Sequence, residues 1–111
     1  MVFLPNKEVN VAAKLTLIYA NPVDPDEFER RYKEHKNLVA QVPHLLQAEY
    51  GKVFPKEDGT PTPRWRTADL YFADYDTAVA AFEDEKGMAV ARDAFDLATG
   101  GVEFLLSDVE N

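Results

Sequence analysis

The order of strand-like and helix-like runs constrains this chain most. Residues 14–20 (KLTLIYA) alternate, with Leu15, Leu17 and Tyr19 on one face and Thr16 and Ile18 on the other, the period of a β-strand. Residues 21–25 then turn into a helix start. Asp24 fits the N-cap, Pro25 the first helical position and Glu27 the capping-box position. This helix is expected to run to about Val42, where Pro43 stops it. Along it, Glu29–Lys33 and Arg30–Glu34 stand at the i,i+4 spacing of helical ion pairs. Residues 45–54 and 65–73 read as the second and third strands. The stretch between them, with Asp58-Gly59 as a turn and Pro61 and Pro63 as stiffeners, is longer than a hairpin needs and reads as a flap. Asp74 or Asp76 caps a second helix carrying Ala78, Val79 and Phe82, broken by Gly87. A short third helix carries Met88, Ala91 and Phe95 and ends with Gly100 near its C′ position. Residues 101–109 are the last strand. Residues 1–13 read as an N-terminal arm or short edge strand, and 14–111 as the domain proper.

The order is therefore β-α-β-β-α-β, with the second helical stretch in two pieces. This is the ferredoxin-like α+β arrangement, a four-stranded antiparallel sheet with helices on one face. The uncovered face should be polar, yet both faces carry apolar residues: Ile18 beside Leu17, Tyr71 beside Phe72, Leu105 beside Phe104. A second copy of the sheet is the simplest cover, which predicts a homodimer through sheet faces. A monomer covered by its own N-terminal arm is the competing reading.

With 111 residues and 46% apolar content, the chain can build a single core. Its net charge of −8 argues against nucleic acid and anionic membrane surfaces as partners. The absence of cysteine excludes disulfides, thiolate nucleophiles and zinc–thiolate sites, and makes a cytoplasmic location the default. Lys7 and Glu8 interrupt anything like a signal-peptide core, and no apolar run approaches the ~20 residues of a membrane span.

One residue breaks the pattern of the first helix. Phe28, Tyr32, His35, Val39 and Val42 fall within about 40° of one line on a helical projection. His35 thus stands on the apolar stripe, where its ring nitrogens need partners or serve chemistry. The other histidine, His44, is nine positions on, past a proline, so the two share no helical face and no metal-ligand spacing results.

From residue 14 to 110 the chain resembles the EthD family of the dimeric α+β barrel superfamily. The matching pieces are KLTLIYANPVDPDEFERRY, His35 followed by Leu38, Pro43-His44-Leu45, the strand ADLYF, and ATGGVEFLLSDVE. The resemblance implies a ferredoxin-like fold, a dimer whose sheets face each other, and a cavity in each subunit between sheet and helices. It matches His35 and Tyr32 to the family's helix-borne histidine and the tyrosine before it. His44 departs from the pattern, since relatives usually have glycine in that turn.

Within such a cavity His35 is the candidate general acid/base, with an ordinary pKa near ~6.5; its bland alternative is a core histidine bonded to a carbonyl or a tyrosine. Tyr32 and Tyr19 are candidates to orient the imidazole or to stabilise a developing oxyanion, or else core aromatics. Phe28, Val39, Trp65, Phe72, Met88, Phe95 and Phe104 are the expected substrate-binding walls. Arg64 and Arg66 are read as surface pairs more readily than as an anion clamp, and Asp69 as a solvated or interface carboxylate. No metal or cofactor is called for. The expected partner is a small apolar oxygenated metabolite (aromatic, polyketide-like or lactone), isomerised, dehydrated or cyclised by His35. The alternatives are a non-catalytic binding or accessory protein, and a cofactor-free monooxygenase or haem-handling protein.

Overall fold

Each expected segment folds as its local chemistry dictates. The computed structural model describes residues 12–110. β1 (Ala13–Ala20) alternates strictly between buried and half-buried positions. Asp24 accepts a hydrogen bond from the Glu27 N–H at 3.2 Å and starts α1 (Pro25–Val39). β2 (Gln47–Lys52) and β3 (Arg64–Phe72) follow. Asp74 caps α2 (Tyr75–Glu83), accepting from the Thr77 N–H at 2.7 Å. α3 (Glu85–Leu97) and β4 (Val102–Asp108) complete the order. The expected arm at residues 1–13 lies outside the described residues, except Ala12 and Ala13; Ala13 already belongs to β1.

The strands form one antiparallel sheet in the order β2-β3-β1-β4, the ferredoxin-like topology. Leu15, Leu17 and Tyr19 point to the helices, as do their register partners Leu70, Ala68 and Arg66 on β3. Against them lie Phe28, Tyr32, His35 and Val39 of α1. Burying each large apolar side chain stabilises by roughly 1.5–3 kcal/mol.

Several boundaries and faces differ from expectation. α1 ends at Val39, and irregular turns carry the chain to Pro43. The expected i,i+4 pairs do not form the contacts of Glu29 and Arg30: Arg30 pairs with Glu27, and Glu29 turns inward to β3. Gly87 does not break the second helix. Asp84 does, closing α2 and capping α3, while Gly87 sits buried within α3. A Cβ at Gly87 would lie 1.9 Å from the Ala81 carbonyl oxygen, so glycine lets α2 and α3 meet backbone to backbone. At the end of α3 it is Gly101, not Gly100, that takes the left-handed conformation.

The buried stripe of α3 is Gly87, Val90, Ala94 and Leu97. Met88 and Phe95, expected inside, lie on the exposed side at 41% and 64% exposure. The far face of the sheet is also more polar than expected. Ile18 and Leu105 lie there, but so do Thr16, which bonds to Asp69, and Glu49, which accepts from the Tyr71 hydroxyl at 2.7 Å. No helix among the described residues is long and apolar enough to cross a membrane.

Candidate functional site

α1 crosses the sheet so that His35 lands between the end of β1 and α3. His35 is 2% exposed, and both its ring nitrogens are engaged. Nδ1 lies 2.7 Å from Asp93 Oδ2 on α3, and Nε2 lies 3.3 Å from the Tyr19 hydroxyl on β1. A carboxylate only accepts, so the ring proton is assigned to Nδ1. Nε2 is then the acceptor for the Tyr19 O–H. Asp93, His35 and Tyr19 form a relay from the helix surface into the core. Arg31 holds the outer end through Asp93 at 3.6 Å and Asp96 at 3.3 Å.

Tyr32 sits one turn before His35. Its ring stacks between Phe28 and His35, with centroids 5.3 and 5.8 Å away. Tyr19 and Tyr50 meet it edge-on. The Tyr32 hydroxyl is buried and has no hydrogen-bond partner among the described residues. Such a group is destabilising by about 1–3 kcal/mol unless water or a ligand meets it. The Arg66 guanidinium stands 4.9 Å from the same ring and is gripped by both oxygens of Glu29, to which the Trp65 indole N–H also donates at 2.9 Å.

Burial sets the protonation of these groups. It pushes His35 below the usual histidine range, partly opposed by the bond to Asp93. The resting imidazole is therefore neutral at pH 7. Burial also raises the Tyr19 and Tyr32 phenols, so both rest as donors. The Arg66 bonds hold Glu29 down at about 2.

His35 makes a poor haem ligand here. Nε2 already faces Tyr19 within the core, and axial ligation would have to displace that hydroxyl. Among the described residues no group of three or more His, Asp or Glu side chains is gathered to hold a metal.

Residues 20–99 match the EthD domain. The chain belongs to the EthD family. It is 35% identical over 98 residues to an uncharacterized 11.0 kDa protein in the thcB-thcC intergenic region of Rhodococcus erythropolis, covering 87% of this chain and 94% of that one. An EthD family protein from Bacillus halodurans superposes with a TM-score of 0.84 at 20% identity, over 89% of this chain and 99% of that chain. The hydroxynitrile lyase of Passiflora edulis shares the fold at a TM-score of 0.73 and 10% identity, covering 92% and 96%. So does a dimeric protein of ferredoxin-like fold from Bacteroides fragilis, at 0.65 and 10%, covering 88% and 96%.

In this EthD protein the expected catalytic residues His35, Tyr32 and Tyr19 come together, with Phe28 stacked on Tyr32. The other expected wall residues scatter. Val39 is packed core, and Trp65 sits near the start of β3, its indole N–H donating to Glu29. Phe72 packs on Phe82 at the opposite end of the sheet, roughly 20 Å along the strands from Tyr19. Phe95 stacks on Phe104 at the β4 edge, 5.1 Å between centroids, and Met88 stands exposed on α3. An open apolar groove of about 350 Å³ lies there, lined by Leu15, Val79, Phe82, Phe104 and Leu106 among others, and it touches none of the polar groups around His35. Around His35 itself the neighbours are aromatic, with Tyr32 stacked on the imidazole and Tyr19 bonded to it.

Sequence reasoning missed Asp93. It stands three residues after Val90 and four before Leu97, on the buried stripe of α3, and reading that stripe one position off hid it. Arg64 is paired on the surface as expected, with Glu103 at 3.0 Å, whereas the expected surface pairing of Arg66 is instead a half-buried one with Glu29 against the Tyr32 ring. Asp69 faces away from the helices, with Thr16 and Lys14.

Proposed function

We propose that this EthD protein performs cofactor-free acid–base chemistry on a small oxygenated metabolite, with His35 as the base. The observation that carries this reading is the Asp93–His35–Tyr19 relay ending beside the unpartnered Tyr32 hydroxyl. A substrate carbonyl oxygen accepting from Tyr32 would satisfy that orphan donor. An adjacent C–H would then lose its proton to the Tyr19 oxygen as the Tyr19 proton passes to His35 Nε2. The resulting imidazolium is stabilised by Asp93, and the enolate by the Tyr32 hydroxyl. Return of the proton to another carbon gives isomerisation; its delivery to a departing hydroxyl gives dehydration. The hydroxynitrile lyase of the same fold is a protein whose name also denotes bond cleavage next to oxygen.

The reaction class can be tested without the natural substrate. Enolisable lactones and aryl ketones are incubated in D2O, and deuterium at the α-carbon is followed by NMR. Protein-dependent exchange is expected, lost in His35→Gln and reduced about 10²-fold or more in Tyr32→Phe. Exchange that survives His35→Gln, or none across the panel, sinks the mechanism.

A non-catalytic binding role has one observation in its favour: the groove at β4 is apolar and distant from His35. A ligand seated there would bind equally well to His35→Gln. We also propose that two copies pair through their sheet faces, supported by the dimeric protein of the same fold and by Ile18 and Leu105 on that face. Ile18→Glu should then yield monomers in sedimentation.

A further inference from the structure

The β2 edge beside the Tyr32 ring carries positive charge that the family assignment does not explain. On the helix-facing side of the sheet, Lys52, Arg66, Tyr19 and Val102 lie in one register row across β2, β3, β1 and β4. Lys36 reaches over from α1 to the Tyr50 ring at 4.7 Å and the Tyr32 ring at 5.4 Å. Lys52 stands over the Trp65 ring at 5.0 Å. Arg66 is neutralised by Glu29, but Lys36 and Lys52 form no ion pair among the described residues. Three cations against one carboxylate leave two positive charges in excess, in a chain whose net charge is −8. Lys36 lies over Tyr50 and the buried Tyr32 ring, and Lys52 stands two positions from Tyr50 on the edge strand β2, over Trp65.

From this juxtaposition we infer that the β2 edge is an anion subsite for the carboxylate of a ring-bearing substrate. The ammonium groups of Lys36 and Lys52 hold the carboxylate, and the planar body lies against Tyr50 and Trp65. Tyr19 is two strands from Lys52 in the same row, roughly 10 Å. That span separates an acid group from a reacting carbon by about one ring. A charge-assisted bond from each lysine is the attraction, the aromatic faces lie beneath both ammonium groups, and the neighbouring carboxylate of Glu29 is already held by Arg66 and Trp65. This inference names the substrate class of the site proposed above and rests on that reading for the reaction only.

Trp65 is the only tryptophan, so its indole N–H gives one resonance in a 1H–15N spectrum, and Lys52 covers that ring. The probes are benzoate, the neutral isostere benzamide, and inorganic phosphate. Benzoate is expected to shift the Trp65 resonance saturably, with benzamide at least about tenfold weaker. Lys36→Gln with Lys52→Gln should weaken benzoate about tenfold while the rest of the spectrum stays folded. His35→Gln should leave benzoate binding intact. Equal binding of benzamide, an unaffected double variant, or an equal response to phosphate overturns the inference. Benzoate binding without any deuterium exchange would uphold the subsite and refute the acid–base reading, so the two fail separately.

Discussion

Replacing Asp93 with alanine removes the partner that holds His35 Nδ1 at 2.7 Å. The imidazole stays 2% exposed, and its N–H is left buried and unpaired. Stranding such a donor is destabilising by about 1–3 kcal/mol. Asp93 is itself 29% exposed, so water can follow the truncation and about 1–2 kcal/mol is expected at pH 7. Arg31 keeps Asp96, and its lost exposed pair adds less than about 1 kcal/mol. The pH dependence sharpens the test. Burial lowers the folded-state pKa of His35, so below the usual histidine value the unfolded chain binds more protons and stability falls as pH falls. Asp93 opposes that lowering. Without it the folded pKa drops further, and the window of lost stability extends to lower pH. The difference between wild type and Asp93→Ala should therefore widen from pH 7 to pH 5, by up to about 1.4 kcal/mol for each unit of further shift. Urea unfolding followed by Trp65 fluorescence reads both, as a midpoint about 1 M lower at pH 7 and a larger gap at pH 5. A difference under about 0.5 kcal/mol that does not grow at pH 5 would refute the relay.

Glu29→Gln should lose about 2 kcal/mol at pH 7 in the same titration. Glu29 is held at about 2, so its contribution is present above the usual glutamate value and fades as pH falls towards 2; the variant and wild type should converge near pH 2. Gly87→Ala places a methyl 1.9 Å from a backbone oxygen, and calorimetry should show Tm about 10 °C lower; an unchanged Tm would mean α2 and α3 can part freely. His44 has a φ of 66°, the left-handed conformation, on an exposed turn. His44→Gly relieves that strain, offset in part by glycine's larger unfolded-state entropy, and should gain up to about 1 kcal/mol; a loss would reveal a contact made by the imidazole.

The residues of α1 and α3 explain why one half of the site was legible and the other was not. On α1 the large apolar residues and the buried stripe coincide, so Phe28, Tyr32, His35 and Val39 could be placed from spacing alone. On α3 they do not coincide. Its buried positions include the small residues Gly87 and Ala94, glycine being required where the α2 backbone meets α3, while the larger Met88 and Phe95 are exposed and Phe95 stands on Phe104 of β4. A size-based reading picks the larger residues, rotates the helix by one position, and loses Asp93. Glu29 shows a similar limit. Lys33 is its helical neighbour, yet the bidentate fork of Arg66, 37 positions away, is the partner that forms.

The sequence alone therefore determined the order of elements, the ferredoxin-like topology, and the stripe that buries the helix-borne histidine. These rest on periodicity and capping, which act within a few residues. Tertiary structure decided that His35 meets Asp93, 58 positions away, and Tyr19, 16 positions away, and that Lys36 and Lys52 flank Tyr50. Those contacts depend on how α1 crosses the sheet and which face α3 turns to it. One carboxylate or one lysine reads like another in sequence, and only packing across elements selects which of them stands within bonding distance.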